Sequence, residues 1–239
     1  MIRPVARWAL IGFTSLLAAA ALIVLAVVGL LLRGPVEIDY LTPILEAALS
    51  DIEPEIWRQV DVPLGLSLKG LHDVIQAAFG WLDYHLHEFR VGDKIYGVPA
   101  PDGEDYGRKV LQDKLIKIDA LIAKGHDSFE YSYDFGDNWE HFVEIEQVMD
   151  ADPGTKYPRF VAGERRAPPE DVGGFPGYYE FIAAIKNKRH PEHKQMLQWC
   201  GGSYDPDDID LFRLRMRLGA IAKRRHAGKL AYQKSAHSG

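Results

Sequence analysis

The feature that most constrains this chain is a strict alternation. Phe129, Tyr131, Tyr133 and Phe135 interleave with Glu130, Ser132 and Asp134. After a break at Gly136-Asp137-Asn138, alternation resumes from Trp139 through Val143 and Ile145 to Val148. Successive side chains on a β-strand point to opposite faces, so a period of two with aromatic residues on one side predicts a half-buried strand. Two such runs joined by Gly, Asp and Asn predict a long antiparallel hairpin, because those residues tolerate positive φ and satisfy local backbone groups. A hairpin with one apolar face must be covered by another layer.

The covering material is legible nearby. Ser67 is a suitable N-cap, and Leu68, Leu71, Val74, Ile75, Ala78 and Phe79 recur at helical spacing until Gly80, which predicts a helix with one buried face. Ile44 to Leu49 and Glu55 to Val62 predict two strands joined by a turn at Asp51 to Pro54, and Leu86 to Val91 with Lys94 to Val98 predicts a hairpin turning at Gly92-Asp93. Residues 99–109 read as a surface loop, and Leu111 to Lys124 as a strand followed by a helical turn. Residues 153–177, rich in Pro and Gly, read as an irregular loop of the length often used for function. Tyr178 to Lys186, Glu192 to Trp199 and Pro206 to Ala222 read as helices. The fold class is α+β: an antiparallel sheet of hairpins with helices on one face, preceded by one transmembrane helix.

That last element rests on Trp8 to Leu32, which carries no charged residue. A helix of this length measures about 37 Å, enough to cross a hydrocarbon core of about 30 Å. A secretory signal is the rival reading, since Arg3 and Arg7 precede the run, but signal h-regions are shorter and end in a small-residue cleavage site. A mis-assigned start is the third. The chain is therefore read as a single-pass membrane protein with a spanning segment at 1–35, a linker at 36–43, a domain at 44–222 and a basic, disordered tail at 223–239. Arg3 and Arg7 against Arg33 leave the side of the membrane open.

Charge narrows the partners. Residues 36–212 hold all 34 Asp and Glu against 17 Lys and Arg, whereas no carboxylate follows Asp210 and eight basic residues do. An acidic body is a poor match for a nucleic-acid-binding surface, so nucleic acid is a partner only through the basic tail. Cys200 is the sole cysteine, which excludes an intramolecular disulfide and a thiolate metal cluster.

Several stretches resemble the plasmid pRiA4b Orf3-like family: Ile52 to Val62 (IEPEIWRQVDV), Leu71 to Trp81 (LHDVIQAAFGW), His85 to Phe89 (HLHEF), Phe129 to His141 (FEYSYDFGDNWEH), Pro168 to Tyr178 (PPEDVGGFPGY), and Ser203 to Phe212 around Tyr204-Asp205-Pro206. They stand in the family's order over roughly residues 44–215. The resemblance implies an α+β domain, often found near mobile elements, and no particular reaction. Members of the family often carry cysteines where Phe160 and Val172 stand here, and the N-terminal span is not part of the family pattern.

Candidate chemistry gathers in two places. His85 and His87, two apart on a strand, would share a face, and His141 with Asp134 and Asp137 could complete a divalent metal site for a metal-assisted hydrolase. The plainer reading is that the histidines hydrogen-bond within the sheet and that Asp134-Phe135-Gly136-Asp137-Asn138 is turn chemistry. Trp139 with Glu170, Asp171, Gly173 and Gly174 forms a candidate binding loop. As a phosphate cradle it is weak, because neighbouring carboxylates repel anions. No Gly-x-Ser-x-Gly elbow or His-Glu-x-x-His helix is present. The leading expectation is a membrane-anchored binding module for a protein or small-molecule ligand, with the hairpin tip and the Pro-Gly loop as its recognition surface. The alternatives are the hydrolase and a nucleic-acid-associated accessory protein of a mobile element.

Overall fold

The computed structural model describes residues 41–100 and 107–236. The expected membrane span at residues 8–32 and the first part of the linker lie outside them. Among the described residues no helix is long and apolar enough to cross a membrane.

One eight-stranded sheet organises these residues. Its strands are β1 (Leu41–Leu49), β2 (Trp57–Asp61), β3 (His87–Val91), β4 (Lys94–Gly97), β5 (Val110–Gln112), β6 (Ser128–Tyr133), β7 (Trp139–Asp150) and β8 (Arg159–Glu164), in the order β5-β4-β3-β6-β7-β1-β2-β8. Every neighbouring pair is antiparallel except β4 and β5, which run parallel, a departure from the all-antiparallel expectation. The predicted hairpin is the centre of the sheet: Tyr133 pairs with Trp139, Tyr131 with His141 and Phe129 with Val143. All six of these side chains are buried, while Glu130, Glu140, Phe142 and Glu144 between them are exposed. A slip of one residue would turn the aromatic layer into water, at about 2–3 kcal/mol per large side chain, so the register is strongly fixed.

Helix α1 (Leu68–Phe79) lies on the aromatic face. Ser67 Oγ accepts from Gly70 N, and Gly80 closes the helix at φ +88 with its N–H on Gln76 O, as the capping residues predict. Nine of its twelve residues are buried, because α1 also packs against the last helix, α5 (Leu211–Ala236), where Leu214, Leu218 and Ala222 are buried. Between them come a short 3₁₀ turn at Asp113–Leu115 and the helices α2 (Ile118–Ile122), α3 (Gly174–Lys186) and α4 (His193–Trp199).

Several boundaries need correction. The linker at 36–43 gives way to strand from Leu41, since Leu41, Thr42 and Pro43 pair with Asp150, Met149 and Val148. The irregular loop at 153–177 contains β8, an edge strand on β2, and α3 begins at Gly174 rather than Tyr178. Residues 223–236, expected as a disordered tail, continue α5 as helix to Ala236. Phe160 and Val172, where cysteines often stand in the family, are apolar and packed against the core.

Candidate functional site

The site lies where the segment 81–86 leaves α1 and enters β3. Trp81 is buried and donates from Nε1 to Pro168 O at 2.9 Å, and Leu82 N donates to Glu170 Oε1 at 2.7 Å. On the other side, Tyr84 N donates to the Tyr133 hydroxyl at 3.1 Å, and Asp134 N donates to Leu86 O at 3.0 Å. One short segment is thus bonded to the Pro-Gly loop and to the end of β6. The Tyr133 hydroxyl in turn donates to Glu170 at 3.1 Å. Burial raises the pKa of the Glu170 carboxyl and of the Tyr133 phenol.

The hairpin tip is built by Asp134. It sits at φ +55, and its Oδ1 accepts from Gly136 N at 3.0 Å and Asp137 N at 3.3 Å, while Asn138 at φ +56 completes the reversal. Asp and Asn tolerate this left-handed region because their short polar side chains bond locally. Asp137 Oδ2 accepts from Gly173 N at 3.1 Å, joining the tip to the N-terminus of α3. A Cβ on Gly174 would stand 2.6 Å from Asp137 O, and Gly174 has φ +65, so only glycine permits this approach. Gly173 and Gly174 therefore serve the junction of two segments.

That junction brings three predicted residues together. His85 Nε2 lies 3.0 Å from Asp171 Oδ1 and 3.4 Å from Asp134 Oδ2. It is a buried atom, and neither contact has hydrogen-bond geometry. Asp134 is buried and Asp171 exposed. Asp83 and Asp171, at φ +59 and +57, add two more left-handed non-glycine residues around the site.

The other proposed ligands go elsewhere, so the set of His85, His87 and His141 does not converge. His85 precedes β3, which removes the shared strand face assumed for it and His87. His87 donates through Nε2 to Asp113 at 2.9 Å and stacks on His72, with ring centroids 3.6 Å apart. His72 bridges the Tyr131 hydroxyl at Nδ1 (2.9 Å) and Asp83 at Nε2 (2.8 Å). Asp83 accepts, so Nε2 carries the proton and Nδ1 receives the Tyr131 hydroxyl hydrogen. Burial lowers the pKa of His72 to about 3 and also lowers that of His87. His72, Asp83 and His87 are close enough for an ion, yet both nitrogens of His72 and Nε2 of His87 are already bonded.

His141 is enclosed by Phe79, Trp81 and Tyr131. Its Nδ1 lies near Tyr131 O at 3.2 Å and Trp139 O at 3.1 Å; carbonyls only accept, so Nδ1 holds the proton. Burial pushes its pKa down to about 3. Trp139, proposed for the recognition surface, is buried in the same layer against Trp81. Asp137 spends one carboxylate oxygen on Gly173.

Residues without a recognisable sequence signal also matter here. Arg58 is buried and donates to four carbonyls, those of Ala78, Trp57, Glu164 and Arg165, at 2.7–2.9 Å. The Arg58 guanidinium ties the C-terminus of α1 to β2 and β8, where the helix dipole favours a cation. Burial lowers its pKa to about 10, still charged at neutral pH. It lines a cleft of about 900 Å³ together with Trp81, Trp199 and Tyr204, with Arg166, Arg213 and Arg217 facing Asp205, Asp208 and Asp210, and with Pro168, Pro169 and Glu170 along one side. Arg166 and Arg213 each lie 3.5 Å from Asp210.

Residues 43–213 match the family model described as Plasmid pRiA4b ORF-3-like protein. The chain belongs to this family. This pRiA4b ORF-3-like chain is 38% identical over 180 residues to Uncharacterized protein y4hQ of Sinorhizobium fredii (strain NBRC 101917 / NGR234), covering 74% of this chain and 91% of the relative. It is also similar to the crystal structure of MM3350, a Protein of Unknown Function from Methanosarcina mazei Go1. The TM-score is 0.66 at 34% identity, over 72% of this chain and 96% of that one. The family match takes in Arg58, His85, Asp134, Asp171 and the cleft-lining loop, and ends near the start of α5.

Proposed function

We propose that this pRiA4b ORF-3-like chain is a binding module, held at a membrane by residues 8–32, whose ligand is read by the Pro-Gly loop. The observation that carries the reading is that residues 168–170 form one wall of the cleft, while the same loop is fixed by Tyr133, Asp137 and Leu82. A loop held in advance loses little entropy on binding. The cleft is of small-molecule size. Four arginines in its lining are matched by Glu170, Asp205, Asp208 and Asp210, so the reading rests on Arg166 and Arg213, from which a small anionic molecule would displace Asp210 beside the aromatic walls.

The full-length chain in detergent, screened by thermal shift against nucleotides, phosphosugars and dicarboxylates, is expected to show stabilisation by a subset of anions. Arg213→Ala, at an exposed side chain, should weaken it. No stabilisation by any anionic class, or stabilisation untouched by Arg213→Ala, counts against the cleft. Anchoring predicts that the chain stays with membranes after alkaline carbonate extraction, and release into the soluble fraction would remove it.

One observation favours a second reading, a metal-assisted hydrolase: His85 Nε2 lies between the carboxylates of Asp134 and Asp171. Zn²⁺-dependent hydrolysis of ester or phosphoester substrates by the purified chain, lost in His85→Gln, is its test. Hydrolysis absent under all metals tested would dismiss it.

A further inference from the structure

We infer that His85, Asp134 and Asp171 form an open binding site for a divalent first-row transition cation. The hydrolase reading rests on this site, whereas cation binding can hold with no hydrolysis and no anionic ligand.

His85 Nε2 is the unsatisfied atom of the site. It is buried, it lacks a hydrogen-bond partner, and its nearest polar atoms are oxygens of two carboxylates at 3.0 and 3.4 Å. A hydrogen bond would place one oxygen along the N–H direction, and neither lies there. An ion with bonds of about 2.1 Å holds neighbouring ligands about 3.0 Å apart in octahedral and about 3.4 Å apart in tetrahedral geometry. One ligand atom from each of the three residues falls within 4.8 Å of the others. His85 Nε2 thus stands at ligand-to-ligand distance from both carboxylates, with the three donors gathered within reach of one ion.

The supporting contacts fix the donors. Asp134 Oδ1 is held by the amides of Gly136 and Asp137, which leaves Oδ2 toward His85. The Asp134 side chain is 8% exposed, so its charge is shielded from water and gains from a cation. Asp171 is 66% exposed, which leaves that side open for water or an exchangeable ligand. An imidazole with two carboxylates suits Zn²⁺ or Mn²⁺ better than Mg²⁺, which takes oxygen and keeps its waters. Asp134 and Asp171 stand on the hairpin tip and the Pro-Gly loop, so a bound cation would cross-link the two segments that Asp137 and Gly173 already join.

The test uses the full-length chain in detergent, stripped with chelator and titrated calorimetrically with Zn²⁺, with Mg²⁺ in parallel. Expected is one Zn²⁺ site with Mg²⁺ far weaker. Its affinity should fall by at least about 100-fold in Asp171→Asn and in His85→Gln, more than the loss of an outer partner causes. Asn accepts the left-handed backbone of position 171, so Asp171→Asn keeps the fold, and near-unchanged circular dichroism verifies this. Co²⁺ substitution supplies a second readout, with visible d–d bands that change in His85→Gln. Absence of Zn²⁺ binding overturns the inference. So does Zn²⁺ binding of equal strength in both variants, which would place the ion at another histidine such as the exposed His226. Failure of the anion screen with Zn²⁺ binding intact would discard the proposed function and leave the cation site standing.

Discussion

Three histidines in this domain are neutral for physical reasons that can be named. His141 sits in an aromatic cage with carbonyls on its one protonated nitrogen, and His72 stacks on His87 with carboxylates at the outer ends. A second positive charge at 3.6 Å in a buried pair would be strongly repelled. Burial lowers the folded-state pKa of all three, to about 3 for His72 and His141. The unfolded chain takes up protons below about pH 6.5 and the folded chain does not, so the contribution is complete above that pH and is lost as pH falls. At pH 5 His72 and His141 together remove about 4 kcal/mol, each losing about 1.4 kcal/mol per pH unit below about 6.5. His87 adds in the same direction. Urea unfolding at pH 7, 6 and 5 should show this decline, flattened in a His141→Leu background; stability independent of pH over that range would contradict the assignment. The same histidines show the limit of reading ligands from spacing. His85 and His87 are two apart in sequence, but the strand begins at His87, so they face different neighbours.

At the scale of elements, the hairpin tip and the α3 N-terminus form a fitted pair. Gly174→Ala should lower the melting temperature by about 3–10 °C, since it adds a left-handed Ala and a Cβ at 2.6 Å from Asp137 O. Gly201→Ala is the comparison: its φ is +88 with open space around the Cβ, so it reports backbone strain alone. Equal effects in the two variants would show that the contact with Asp137 contributes nothing. What could be read in advance followed from strong local signals. The alternation of Phe129 to Ile145 specified β6 and β7, and Ser67 and Gly80 bounded α1. β8 escaped because its six residues lie among prolines and glycines and earn their strand state only by pairing with β2. The end of α5 escaped because residues after Ala222 have no apolar stripe, although Lys, Arg, Ala and Leu all favour helix. Of the candidate site, the carboxylates and His85 were legible as residue types. The junction that selects Asp171 over His141 depends on contacts between segments far apart in the chain, which no local pattern encodes.

For the molecule as a whole, the sheet separates two surfaces. One carries the aromatic layer, α1 and α5; the other presents Glu130, Glu140 and Glu144 with Phe142. Arg58 has a consequence for motion. An edge strand ordinarily frays first, opening and closing independently of the interior. Here β8 cannot separate from β2 without stripping the Arg58 guanidinium of the Glu164 and Arg165 carbonyls while it stays buried under Ala78 O and the Phe79 ring. The edge and the last turn of α1 should therefore open as one cooperative unit. Amide hydrogen exchange of residues 159–164 should slow to the same opening free energy as that of residues 76–80. In Arg58→Lys, which cannot span all four carbonyls, the two should part, with the edge exchanging faster. Independent exchange rates in the wild type would show that the rim of this sheet is as loose as any other.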